Sequence, residues 1–126
     1  MTFEQLQKLT LEWADDKDLL HEENADKQFM KFVEEVFEFN DSFTAVKLAS
    51  QLWEQSRSQG VNIKFENELF KDMKLEMGDI FVTLIILCEQ LGLDPMECLS
   101  MAYDKISQRT GKTINGQFIK SEDLNE

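Results

Sequence analysis

Two groups of carboxylates stand at helical spacing in this chain, Glu34-Glu35-x-x-Glu38 and Glu76-x-x-Asp79. Side chains three or four apart are neighbours on one helix face. Two such helices laid antiparallel would therefore bring both groups to one point. Oxygen ligands without cysteine or histidine suit a hard cation, Mg²⁺ or Mn²⁺, with positions left open for water and phosphate. For Glu34, Glu35 and Glu38 alone, a solvated acidic face is the better explanation. It explains Glu76 and Asp79 poorly, because their surroundings are apolar.

Those surroundings are the stretch Leu75–Leu91, LEMGDIFVTLIILCEQL. On a helical wheel Glu76, Asp79, Thr83 and Gln90 share one narrow stripe, joined by Asp72 from the preceding turn. Ile80, Phe81, Val82, Leu84, Ile85, Ile86, Leu87 and Cys88 fill the rest. A helix apolar almost all round is a buried helix, and carboxylates on it are costly unless a partner or a metal compensates them. A strand reading of Ile80–Cys88 lacks sister strands elsewhere in the chain. The run also falls well short of the roughly 20 apolar residues that a bilayer requires.

The elements that must position the carboxylates follow from periodicity and capping. Thr2 and Gln5 form a capping box for a first helix with the stripe Phe3, Leu6, Leu9, Trp13, ending in Asp15–Asp18. His21–Asp26 reads as a polar connection. A second helix starts near Asn24 or Asp26 and is two-sided from Phe29 to Phe43, with Phe29, Met30, Phe32, Val33, Val36, Phe37 and Phe39 opposite Lys31, Glu34, Glu35 and Glu38. Asn40-Asp41-Ser42 breaks or bends it, helical spacing resumes over 43–58, and Gly60 stops it. Residues 61–71 read as a loop into the central helix, which ends at Gly92. Asp94-Pro95-Met96-Glu97 opens a further helix with an N-cap, a proline at N1 and an acid at N3, closing at Gly111. Asn115-Gly116 signals a two-residue hairpin. The sum is an all-α fold, a four- to five-helix bundle with a small C-terminal hairpin tail, as one domain over 1–126.

Composition narrows the function classes. Twenty-five acidic against thirteen basic residues give a formal charge of −12. That argues against a nucleic-acid backbone as partner, which needs a basic surface, and leaves room for a small phosphorylated ligand carried with a cation. The N-terminus lacks a basic start and an apolar core segment, so a cytoplasmic location is expected. Cys88 and Cys98 read as reduced core residues. A di-iron bundle would need Glu-x-x-His on two helices, and the chain has one histidine, His21, outside both motifs. EF-hand, Walker A and Rossmann patterns are absent.

The order EExxE then ExxD, with an apolar run after the aspartate, resembles the MazG-type all-α nucleoside triphosphate pyrophosphohydrolases. Trp13-Ala14, Lys27-Gln28 and Lys31, Leu91-Gly92-Leu93-Asp94-Pro95, Lys105-Ile106-Ser107-Gln108-Arg109 and the GKTINGQFIK tail extend the likeness over 1–40 and 72–120, closest to small Gram-positive and phage-type members. The resemblance implies Mg²⁺-dependent hydrolysis of a (deoxy)nucleoside triphosphate to monophosphate and pyrophosphate, as nucleotide-pool housekeeping. It implies Glu35, Glu38, Glu76 and Asp79 as metal ligands, and Glu34 as a catalytic glutamate that orients water or binds a further ion. Lys105 and Arg109 match phosphate-contacting positions, a solvated basic helix end being the plain alternative. The family's subunits usually form a homodimer or homotetramer. The stretch 39–75 is longer than is common there and implies an inserted helix at about 43–58, while Phe37 and Phe39 add aromatic bulk between and after the glutamates.

Lys31, one turn before Glu35, either reaches phosphate or pairs with Glu35. For a base, Trp13, Trp53 and Tyr103 are the stacking candidates, each better suited to a core or subunit contact than to a base platform, and Trp13 is the first to test. The competing reading is a non-catalytic helical oligomer that binds nucleotide or a protein partner.

Overall fold

The computed structural model describes residues 1–56 and 63–124, without the side chains at 53, 55, 56 and 63–66. Among these residues are four α-helices, α1 (Phe3–Asp16), α2 (Ala25–Ser56), α3 (Ile63–Gln90) and α4 (Pro95–Ser107), and a hairpin of β1 (Gly111–Ile114) and β2 (Gln117–Lys120). The molecule is mostly helical, as the periodicity implies. The expectations for Gly60 as a helix stop and for the Trp53 side chain lie outside the described residues. None of the described helices is long and apolar enough to cross a membrane.

The chain divides into two compact units, Met1–Gly92 and Leu93–Glu126. In the first, α1 opens as its capping box requires: the Thr2 side chain accepts from the Gln5 amide, and the Gln5 side chain accepts from the Thr2 amide. A 3₁₀ turn, Glu22–Asn24, sits in the connection to α2.

α2 does not break at Asn40-Asp41-Ser42 but runs for 32 residues. Three residues of modest helix propensity cost only a few tenths of a kcal/mol each. Phe39 and Phe43 bridge the weak turn with rings stacked at 6.2 Å, and Lys47 lies over the Phe43 ring at 4.6 Å. The separate helix expected at 43–58 is thus the distal half of α2 as far as Ser56. Likewise 63–71 is not a loop: α3 begins at Ile63 and carries Leu69, Phe70 and Met73 at helical spacing.

α2 and α3 run antiparallel. Gln28 donates to the Thr83 carbonyl at 3.3 Å, and about two turns further along α2 Glu35 stands beside Glu76, nearer the start of α3. α1 joins the pair through a T-shaped contact of Phe3 with Phe81 at 6.0 Å. The buried core is the distal half of α3, with Ile85, Ile86 and Cys88 inside together with Ala14 of α1. Each buried isoleucine contributes about 1.5–3 kcal/mol over leaving it exposed. The buried Thr83 hydroxyl donates to the Asp79 or Ile80 carbonyl of its own helix, and buried Gln90 donates to the Leu19 carbonyl at 2.7 Å while its Oε1 stays without a partner. The all-round burial expected of α3 is not met within one chain, where Phe81 and Leu75 are exposed. The apolar half of α2 is also open, with Phe37 at 66% exposure.

In the second unit Asp94 caps α4, its side chain accepting from the Met96 amide at 3.0 Å. α4 ends at Ser107 with Gln108 as C-cap, so Gly111 is not the helix stop that its type implies. It opens β1 opposite Lys120, where a Cβ would overlap the Ile119 carbonyl oxygen. Asn115 (φ 51°) and Gly116 (φ 79°) form the two-residue turn, both left-handed as such a turn demands. Cys98 of α4 is exposed rather than a core residue, whereas Cys88 is buried.

Candidate metal centre

The antiparallel pairing of α2 with α3 brings Glu35, Glu38 and Glu76 together, one carboxylate oxygen of each lying within 4.8 Å of the others. They grade outward: Glu35 is buried, Glu76 partly buried, Glu38 exposed. The arrangement is acceptor-rich and donor-poor. Glu35 Oε1 receives Lys31 Nζ at 3.2 Å, but Glu35 Oε2 and Glu76 Oε2 are buried with no hydrogen-bond partner. Ionised carboxylates accept and cannot donate, so the cluster cannot satisfy itself.

The titration of Glu38 reflects that crowding. Its carboxyl holds its proton above the ordinary glutamate range, first through a hydrogen bond with Glu35, then through the Glu35 charge. Lys31 is held charged to higher pH than usual, chiefly by its hydrogen bond to Glu35. The three carboxylates have one ammonium beside them, Lys31, which Glu34 shares, so the group carries excess negative charge that a cation would offset. The donor set is all oxygen, open on the Glu38 side, and it leaves two orphaned buried acceptors. Such a set fits a hard cation such as Mg²⁺ or Mn²⁺ and suits soft or imidazole-seeking metals poorly.

The other expected site residues are placed as follows. Asp79 stands outside the three-carboxylate group, three residues on from Glu76 and rotated toward α1. There it lines a cavity of about 420 Å³ with Leu6, Leu9, Thr10, Trp13 and Val82. Trp13 therefore shares a cavity with Asp79 rather than with the glutamates, and half of its surface is exposed. Glu34 points to solvent and meets Lys31 at 3.7 Å. Lys31 thus pairs with both glutamates, the plainer of its two expected roles. His21, outside the cluster, is bonded to Asp18 at 2.5 Å.

Lys105 and Arg109 belong to the second unit. They line a cavity of about 520 Å³ with Gln108, Thr110, Lys120, Ser121 and Glu122. Of these, Thr110, Lys120 and Ser121 escaped the sequence reading, although the Asn115-Gly116 turn fixes the register that sets Lys120 opposite Gly111.

No protein-family model, curated protein or solved structure matches the chain.

Proposed function

We propose that this protein is a Mg²⁺-dependent hydrolase that cleaves (deoxy)nucleoside triphosphates to the monophosphate and pyrophosphate. The observation that carries the proposal is the Glu35–Glu38–Glu76 cluster with its two buried, partnerless oxygens. Five carboxylates over two motifs repel a triphosphate unless a cation stands between them, so a cation site and an anionic substrate belong to one reading.

Glu35, Glu38 and Glu76 would hold the ion. Bound Mg²⁺ supplies charge neutralisation and Lewis-acid polarisation of a phosphoryl oxygen. Lys31 holds Glu35 in place through Oε1, one turn away on the same helix. Glu34, exposed beside the cluster, is available to orient a water and accept its proton. Lys105 and Arg109 supply cationic donors for phosphate oxygens, the arginine as a planar fork. Trp13, with an open ring face and apolar neighbours, is the proposed platform for a base.

A homodimer or homotetramer in the cytoplasm completes the proposal. Phe29, Met30 and Phe37 on α2 leave an apolar surface that a second subunit would cover. The same surface favours the second reading, a non-catalytic helical oligomer that binds nucleotide or a protein partner.

The deciding experiment is a panel of nucleoside and deoxynucleoside triphosphates with Mg²⁺, following pyrophosphate release. Turnover that stops in EDTA supports the hydrolase. Absence of turnover with every nucleotide in both Mg²⁺ and Mn²⁺ would leave the oligomer reading ahead.

A further inference from the structure

The second unit carries four basic residues against six acidic ones, yet most of its positive charge is gathered at one place. Three of its basic residues, Lys105, Arg109 and Lys120, line one cavity of about 520 Å³. Lys105 lies in the last turn of α4, Arg109 follows its C-cap, and Lys120 closes β2 opposite Gly111. The missing Cβ at Gly111 lets the two strands approach so closely that Lys120 returns to the end of α4. The cavity is also rich in hydroxyls and amides. Thr110 and Ser121 share a hydrogen bond at 2.7 Å, the Ser121 amide donates to the Thr110 carbonyl at 2.8 Å, and Gln108 adds a carboxamide.

Charge is poorly compensated there. Among the described residues neither Lys105 nor Arg109 makes an ion pair, and Lys120 has only Glu122, at 3.8 Å with both partners substantially exposed. Three cations less one carboxylate leave +3 − 1 = +2 in one concave site. An open cavity with a guanidinium fork, two flanking ammonium groups and hydroxyl donors matches a multiply charged oxyanion. Its three cationic heads come from three places in the fold, so they suit linked phosphates better than a single one.

We infer that this cavity binds a diphosphate group, with Arg109 as the fork, Lys105 and Lys120 as flanking charges, and Glu122 as a built-in competitor for Lys120. The phosphate role of Lys105 and Arg109 comes from the proposed activity. The contributions of Lys120, Ser121 and Thr110, and the opposition of Glu122, go beyond it. Free pyrophosphate and the terminal diphosphate of a nucleotide share this chemistry.

Isothermal titration of the full chain in EDTA, without a divalent cation, tests binding apart from turnover. Sodium pyrophosphate should bind at least about tenfold more tightly than orthophosphate, with affinity falling as salt rises. Lys120→Gln and Arg109→Lys should each weaken it by about tenfold or more. Glu122→Gln should tighten it by about two- to fivefold. A thermal melt and amide spectra of Lys120→Gln establish that the hairpin persists, and the gain in Glu122→Gln tests the site without removing a ligand.

A non-hydrolysable nucleoside triphosphate bound as tightly as pyrophosphate would assign the site to the nucleotide. One bound tenfold more weakly would assign it to free pyrophosphate. Wild-type affinity in Lys120→Gln, equal affinity for orthophosphate and pyrophosphate, or no binding would overturn the inference. Pyrophosphate binding without any nucleotide turnover would remove the hydrolase and keep this site; turnover without pyrophosphate binding would do the reverse.

Discussion

Lys31 and Glu35 sit one helical turn apart, joined at 3.2 Å through Oε1, while the second oxygen of the same carboxylate is buried with no donor. Half of Glu35 is thus satisfied by its own helix and half is not, in a carboxylate that lies beside Glu38 and Glu76. A buried acceptor without a donor costs about 1–3 kcal/mol, and a bound cation would relieve that cost.

The first prediction follows. Mg²⁺ at about 100 times its Kd should stabilise the protein by about 2.7 kcal/mol through binding to the folded state alone. For a chain of this size that raises Tm by several degrees. Glu35→Gln should abolish the shift, because the amide keeps the shape and loses the charge. An unchanged Tm on adding Mg²⁺ or Mn²⁺ to wild type would argue against a cation site.

The site was legible in the sequence to the extent that helical spacing controls it. Glu35 and Glu38 on one helix and Glu76 on another follow from i, i+3 geometry once the helices pair antiparallel. Asp79 obeys the same spacing yet falls outside the group, because three residues turn the helix by 300° and its side chain is one methylene shorter than glutamate. Periodicity alone does not say which of two adjacent stripes faces the partner helix. The hairpin was legible from Asn115-Gly116, whose left-handed backbone few other pairs adopt. The length of α2 was not, since Asn40-Asp41-Ser42 carries a local break signal that the Phe39–Phe43 stack overrides. Gly111 misled for a related reason: glycine marks both a helix stop and a close strand approach, and only the fold distinguishes them.

The second prediction concerns pH. The hydrogen bond that the His21 ring donates to the Asp18 carboxylate raises the His21 pKa above 6.5. A folded pKa above the unfolded value means that the folded state binds the proton more tightly. The stabilisation is therefore complete below pH 6.5 and is lost as pH rises through the folded pKa. His21 is the only histidine in the chain, so a single imidazole resonance reports its titration. Its midpoint should lie above 6.5 and move back toward 6.5 in Asp18→Asn. A wild-type midpoint at or below 6.5 would show that the pair does not persist in solution.

The third concerns Gly111. Alanine there drives a methyl group into the Ile119 carbonyl oxygen, and backbone cannot move aside as a side-chain tip can. Gly111→Ala should abolish the cross-strand amide protection of β1 and β2 while α1–α3 melt as in wild type. Hydrogen exchange resolved by residue checks it, and retained protection at Ile114 and Gln117 would contradict the close approach.

The fourth concerns the open face of α2. Phe37 is 66% exposed and Phe29 51%, far more aromatic surface than an isolated helix pair gains by leaving in water. Sedimentation should show an oligomer at micromolar concentration, and Phe37→Glu should shift it toward monomer. A monomeric wild type would remove the homo-oligomer from the proposal.

The last prediction separates Glu76 from Asp79, which the sequence pairs and the fold parts. Glu76 contributes an oxygen to the three-carboxylate group, and its Oε2 is buried without a partner. Asp79 faces the cavity shared with Trp13. If the three glutamates suffice to hold the ion, Asp79→Asn should keep the Mg²⁺-dependent rise in Tm and Glu76→Gln should lose it. Turnover then reads the second role of each. Glu76→Gln should be inactive with every nucleotide, whereas Asp79→Asn should retain catalysis with an altered KM from the Trp13 side. Loss of the Mg²⁺ shift in both variants would make Asp79 a fourth ligand, drawn into the cluster when the ion binds.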